Sequence, residues 1–247
     1  MSLRIATVPA LSAVPGLVHG FEQRAPSDGA ETAEESRARV ARAVEERGRL
    51  LFLKQVHGCA VVEAPWEATP RADAAVAPVP GWLIGIQTAD CLPVLLVDPG
   101  RRFVAAAHAG WRGTAAGVAA RAVDALVGHG SRPADLVAAL GPCVGACCYE
   151  VGDDVREAFG PSGAAAFRPG PRGRPHLDLR AANVGQLLGA GLRPQAVHHV
   201  ADCTRCRADA YHSYRRDGRA AGRMISFVGF ARLIRDARPG CGANEPI

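Results

Sequence analysis

Lysine is almost missing from this 247-residue chain: Lys54 is the only one, and every other cationic side chain is arginine. With alanine, glycine and proline abundant as well, that pattern is a compositional bias, so the formal net charge of +5 says little about partners. Aromatic residues make up only 5% of the sequence. No segment interleaves them with a basic stripe, as a groove for single-stranded nucleic acid requires, and nucleic acid is not an expected partner. No uncharged apolar run is long enough to span a bilayer. The opening Met1-Ser2-Leu3-Arg4-Ile5-Ala6 lacks the apolar core and small-residue cleavage site of a secretory leader. These absences predict a cytoplasmic protein with no membrane partner. His-x-His occurs nowhere, and eight scattered histidines do not supply the dense imidazole pairs of several copper centres. The chain has one C-x-x-C, Cys203-Thr204-Arg205-Cys206, and no second. A closed zinc ribbon therefore lacks ligands, and most of the eight cysteines, Cys147 and Cys148 included, read as small buried hydrophobes.

What is present is ordinary for a globular protein: 48% hydrophobic and 21% charged residues, without repeats or low-complexity linkers. The expectation is a single domain over residues 1–247. Glu31 to Glu46 reads as a helix stopped at Gly48. Leu50–Leu53, Trp82–Gln87, Val94–Val97, Phe103–Ala107, Ala196–Val200 and Met224–Phe230 read as strands. Thr114 is the expected N-cap of a helix through Val127, and further helices are expected over Asp153–Phe159 and from Asp178 to Leu188. Pro161 to Pro175 reads as an exposed excursion. Interspersed strands and helices give an α/β or α+β layered class.

Three short stretches place a metal-capable side chain beside a glycine or a tight turn: Gln55-Val56-His57-Gly58, Ala89-Asp90-Cys91-Leu92-Pro93, and His108-Ala109-Gly110-Trp111-Arg112-Gly113. Two imidazoles and one thiol form a three-ligand set, the number that leaves a catalytic zinc an open position. These donors suit zinc and also copper. Cys91 and His108 also fit a nucleophile and base pair working without metal. His19, His129, His198 and His199 read as structural.

Read together, the stretches resemble the YfiH/YlmD-like family, also called the bacterial laccase-domain or multicopper polyphenol oxidase family. The resemblance rests on those three, on Gly141-Pro142 through Cys148-Tyr149-Glu150-Val151, on His176-Leu177-Asp178-Leu179 with Asn183 and Gln186, on Cys203-Thr204, and on Ser213-Tyr214-Arg215-Arg216-Asp217-Gly218, all in family order. It implies an α/β/β/α layered fold akin to the cytotoxic necrotizing factor deamidases. It also implies a zinc site made by His57, Cys91 and His108, which would be the catalytic centre. The implied activities are phosphorolysis of adenosine, inosine and methylthioadenosine, and deamination of adenosine. Copper-dependent phenol oxidation and editing of peptidoglycan precursors are further labels in the family.

For phosphorolysis, cations must hold phosphate, and Lys54, Arg112 and Arg215 are the candidates. Tyr149 and Trp111 are placed to stack on a base or to fill core, with core favoured for Trp111. Asp90 and Glu150 are the carboxylates to test as general acid or base. The deaminase signature H-x-E with P-C-x-x-C is absent. The N-terminal part departs from the family: Arg24 fits its opening, but Ala25-Pro26-Ser27-Asp28-Gly29 stands where a glycine-rich segment is usual. The expected partners are a purine nucleoside and phosphate, and the expected assembly is a monomer or homodimer.

Overall fold

A computed structural model describes residues 3–24, 32–171 and 173–232. Its strands are β1 (Arg4–Ala6), β2 (Leu17–Gln23), β3 (Arg49–Phe52), β4 (Val61–Glu63), β5 (Ala74–Ala77), β6 (Trp82–Thr88), β7 (Leu92–Asp98), β8 (Phe103–Ala109), β9 (Val137–Leu140), β10 (Phe167–Pro169), β11 (Pro175–Leu177), β12 (Val197–His199) and β13 (Met224–Phe230). The α-helices are α1 (Pro9–Ser12), α2 (Ala33–Val44), α3 (Trp111–Ala115), α4 (Val118–Gly128), α5 (Asp153–Phe159), α6 (Leu179–Gly189) and α7 (Tyr214–Asp217). One sheet runs β1-β2-β13-β6-β3, the other β12-β9-β7-β8-β5-β4.

Alternation along the strands explains the layering. Ile84 and Ile86 of β6, with Val228 and Phe230 of β13, meet Leu95 and Val97 of β7 and Ala106 of β8 in a core between the two sheets. The residues of opposite parity point outward. Leu83, Ile225 and Phe227 pack with Val40 and Val44 of α2, whereas Val94, Leu96 and Ala107 pack with Val118, Ala122 and Leu126 of α4 and Leu187 of α6. The order is helix, sheet, sheet, helices, as expected for an α/β/β/α arrangement. Strands covered on both faces read as continuous apolar runs, and every residue of β7 and β13 is buried.

Helix α5 and strand β13 carry the predicted limits, and Asp178 caps α6 by accepting the Ala181 N–H at 2.9 Å. Thr32 and Glu35 form a reciprocal capping box that starts α2; Glu31 lies outside the described residues.

Two expectations fail. Gly110 to Gly113 is no mere turn, because α3 begins at Trp111. Thr114 lies inside that helix, buried under a hydrogen bond from Asn183 Nδ2 at 3.0 Å, and Gly117, in a left-handed conformation, occupies the N-cap of α4 instead. The stretch from Pro161 to Pro175 is mostly exposed, as expected, but carries regular structure. It holds a 3-10 turn and one arm of the β10–β11 hairpin, and the Ala166 carbonyl accepts the Asp178 N–H at 2.7 Å.

Candidate functional site

The chain passes from one sheet to the other through three residues, Ala89, Asp90 and Cys91, between β6 and β7. Asp90 makes that crossing with φ of 91°. Its carboxylate accepts the Thr204 hydroxyl and the Arg215 backbone N–H, each at 2.5 Å. Both oxygens are engaged in bracing the segments of Thr204 and Arg215. Cys91 follows and faces the end of β8, where His108 is buried.

Asp73, just before β5, organises the rest. This fully buried carboxylate accepts the backbone N–H groups of Val56 (3.1 Å), His57 (2.8 Å) and Gly58 (2.7 Å), and the His108 ring at Nδ1 (2.8 Å). The loop after β3 is curled around it, with His57 at φ 62°. Tying up His108 Nδ1 leaves Nε2 as the free nitrogen, the device by which a carboxylate orients a ligating histidine. Burial opposes ionisation of Asp73, but hydrogen bonds from His108, Gly58 and Val56 outweigh it and hold the carboxyl below its ordinary range. Asp73 is absent from the sequence-based candidates, although a lone carboxylate in the small apolar run Ala72 to Ala75 is a legible signal.

The donor atoms of His57, Cys91 and His108 lie within 4.8 Å of one another, and the two imidazoles meet edge-on at 4.9 Å. Glycine makes this approach possible. A Cβ on Gly110 would stand 3.0 Å from Cys91 Sγ and 3.3 Å from His57 Cδ2, and one on Gly113 would stand 2.8 Å from the Gly58 carbonyl. Burial raises the Cys91 pKa, yet His108 and His57 more than offset that and bring it down to about 6. Burial likewise depresses His108, while Cys91 and Asp73 raise it to about 9. With no metal bound, these shifts favour a thiolate and imidazolium pair at neutral pH. Alkylation of Cys91 in chelator-treated protein should therefore rise with pH through about 6, and His108→Gln should move that midpoint up toward the ordinary thiol value; peptide-resolved mass spectrometry reads both.

The trio opens into a cavity of about 710 Å³. Lys54, Arg112, Tyr149 and Arg215 all line it, as the sequence reading expects of substrate contacts, and so do Arg37 and Arg223, which that reading missed. Among the described residues, Asp90 is the one carboxylate in this lining. Arg215 lies over the Tyr149 ring at 5.2 Å and donates to the Glu150 carbonyl. Burial, then the neighbouring Cys91 thiolate, pushes the Tyr149 hydroxyl upward. Trp111 both lines the cavity and packs on the helical core, with Arg112 at 4.1 Å over its ring. Glu150 is outside this lining and pairs with Arg174 at 3.7 Å. Arg24 does not line the cavity either, and Ala25 to Gly29 lie outside the described residues.

Residues 20–231 match the family described as multi-copper polyphenol oxidoreductase laccase. The chain belongs to this family. A relative named purine nucleoside phosphorylase, from Deinococcus radiodurans, is 40% identical over 208 residues, 83% of this chain and 80% of that protein. A second, named adenosine deaminase RL5, from an unknown prokaryotic organism, is 35% identical over 194 residues, covering 72% of this chain and 74% of its own. The crystal structure of YlmD from Geobacillus stearothermophilus superposes with a TM-score of 0.80 at 29% identity, covering 91% of this chain and 94% of the other. The first two bear enzyme names, in keeping with an enzyme rather than a binding module.

Family membership gives the remaining lining residues a context. Gln55 exchanges two hydrogen bonds of 2.8 Å with the Gln87 backbone, fastening the His57 loop to the end of β6. Arg37 donates to the Gln87 side chain and lies 5.4 Å over Phe52, so α2 contributes to the same wall. Among the described residues, no helix is long and apolar enough to cross a membrane.

Proposed function

We propose that this chain, acting as one domain over residues 1–247, is a zinc-dependent purine nucleoside enzyme. The reactions would be phosphorolysis of adenosine, inosine and methylthioadenosine, and deamination of adenosine. The observation that carries this reading is the convergence of His57, Cys91 and His108 beside a cavity rimmed by Arg37, Lys54, Arg112, Arg215 and Arg223. Two nitrogens and one sulfur suit zinc, and the glycine cradle at Gly110 fits a crowded donor set. A zinc ion there would supply Lewis acidity and a source of hydroxide near neutral pH.

The chain's own groups would do the rest. Asp73 fixes the His108 tautomer and shapes the His57 loop before any substrate arrives. Lys54, exposed and without an ion pair among the described residues, would hold phosphate with Arg112 and Arg215. Tyr149 would offer a ring face to a purine, while Trp111 packs on the helical core. Names of relatives for both phosphorolysis and deamination support a site serving both reactions.

The deciding test is incubation with adenosine, with and without phosphate, followed by chromatography. Adenine and ribose 1-phosphate formed only with phosphate, plus inosine formed without it, are the expected products; no turnover of adenosine would overturn the reading. Lys54→Ala should raise the KM for phosphate by roughly tenfold, the value of one charge-assisted hydrogen bond, and leave inosine formation unchanged.

A second reading has its own support. The thiolate and imidazolium pair, with Cys91 near 6 and His108 near 9, suits a metal-free Cys-His amidase acting on peptidoglycan precursors. Turnover by metal-depleted protein separates the two, and metal analysis distinguishes zinc from the copper of the polyphenol oxidase label.

A further inference from the structure

A second group of sulfurs lies away from the catalytic trio and contradicts the reading of these cysteines as buried hydrophobes. Cys147 and Cys148 are in the loop between β9 and α5; Cys203 and Cys206 are in the loop between β12 and α7. Cys147 and Cys206 are exposed, which removes core packing as their reason. All four Sγ atoms lie within 4.8 Å of one another. Cys206 Sγ is 3.4 Å from Cys148 Sγ and 3.8 Å from Cys147 Sγ.

Geometry separates the possible uses of such a group. A disulfide draws two sulfurs to about 2.05 Å and leaves the others out. No pair is singled out here, since Cys206 approaches both members of the adjacent pair. A tetrahedral centre with metal–sulfur bonds of about 2.3 Å spaces its sulfurs about 3.8 Å apart, close to the 3.4 and 3.8 Å separations of Cys206 and within the 4.8 Å span of the group. Two of the four sulfurs accept hydrogen bonds from the surrounding chain. The Gly145 N–H donates to Cys203 Sγ at 3.2 Å, the Cys206 backbone N–H is directed at the same sulfur, and the Arg205 guanidinium donates to Cys148 Sγ at 3.5 Å. Such donors orient and support sulfur ligands. The two loops are already joined by backbone at this point: Cys143 bridges Cys203, and the Thr204 N–H donates to the Cys143 carbonyl at 3.0 Å.

We propose that Cys147, Cys148, Cys203 and Cys206 form a second metal site, a closed tetrathiolate holding one zinc ion that clips the loop of residues 143–149 to that of residues 203–206. Four sulfur donors in a tetrahedron select zinc among the abundant divalent ions. A closed site has no open position for substrate, so its contribution is to shape the cavity. Tyr149 follows Cys148 directly, and Thr204, inside the C-x-x-C, grips Asp90 together with the Arg215 N–H. Fastening these loops fixes two walls of the cavity, one bearing Tyr149 and the other Arg215.

The test is metal analysis of the full chain expressed with added zinc, in variants that separate this site from the His57, Cys91 and His108 site. Cys91→Ala should retain about one zinc ion per chain, released by a thiol-specific mercurial and not by mild chelation. The double variant Cys147→Ser, Cys206→Ser should lose that ion, whatever happens at the trio. Where the double variant fails to fold, cobalt loaded into Cys91→Ala keeps the question open to decision: the intense sulfur-to-cobalt charge transfer of four thiolates is expected. A Cys91→Ala protein with no zinc, one carrying iron instead, or one about two or four mass units light from disulfide formation would overturn the proposal. Zinc in Cys91→Ala alongside a wild-type protein inert toward adenosine would retain this site and discard the nucleoside reading.

Discussion

Asp73→Asn should damage this protein nearly as much as Asp73→Ala, although the side chain keeps its shape. The carboxylate takes two donors on each oxygen: the His57 N–H and His108 Nδ1 on Oδ1, the Val56 and Gly58 N–H groups on Oδ2. An amide has one acceptor oxygen, so either orientation turns its NH2 toward two N–H donors. Breaking a buried charged network in this way costs on the order of 3–5 kcal/mol, which lowers Tm by roughly 6–20 °C in a chain of this size. Loss of the carboxylate behind His108 should also weaken zinc binding about 10–100-fold. Thermal unfolding and competition against a zinc chelator measure the two effects.

The pH dependence has a definite sign. Asp73 has a folded pKa below its unfolded value. Its contribution is complete above the unfolded value near 4, and it disappears as pH falls through the depressed folded value. The difference in stability between wild type and Asp73→Asn should therefore be widest at neutral pH and shrink below about pH 4. A difference independent of pH would remove the electrostatic account of Asp73.

Periodicity and caps made much of the framework readable. The runs at β8 and β13 are continuous because both faces are covered, and α5 and α6 announce themselves through acidic first turns or an Asp cap. The His-Cys-His convergence was readable because each residue sits in a stretch rich in small residues, the composition that lets loops approach closely. Other features depend on pairing across long separations. β2 contains His19, Gly20 and Glu22 in its interior, so its apolar pattern is broken, and only pairing with β1 and β13 makes it a central strand. The pairing of Cys147-Cys148 with a C-x-x-C some sixty residues on has no local signal, because the parallel approach of β12 to β9 brings their following loops together. Thr114 misleads for a related reason: a hydroxyl before an apolar run looks like a cap, but Asn183 from α6 claims it inside the layer.

Cys91→Ala should reduce turnover by at least about a thousandfold, as expected when one member of a catalytic unit is removed, while the fold persists. Cys91 is only partly buried and its backbone is held by neighbours that the substitution leaves alone: Asp90 on one side and the β7–β8 pairing at Leu92 on the other. The loss by itself does not say whether the sulfur serves as ligand or nucleophile, so the informative companion is Cys91→Asp. A carboxylate oxygen can replace sulfur as a metal ligand but cannot replace it as a thiol nucleophile. Recovery of part of the activity and of the trio's zinc in Cys91→Asp, with Cys91→Ala inactive, is the expected pattern. Removing zinc from wild type should abolish turnover reversibly. Activity that survives complete metal depletion, and is then ended by alkylating Cys91, would transfer the chemistry to the thiolate and imidazolium pair favoured between Cys91 and the buried His108.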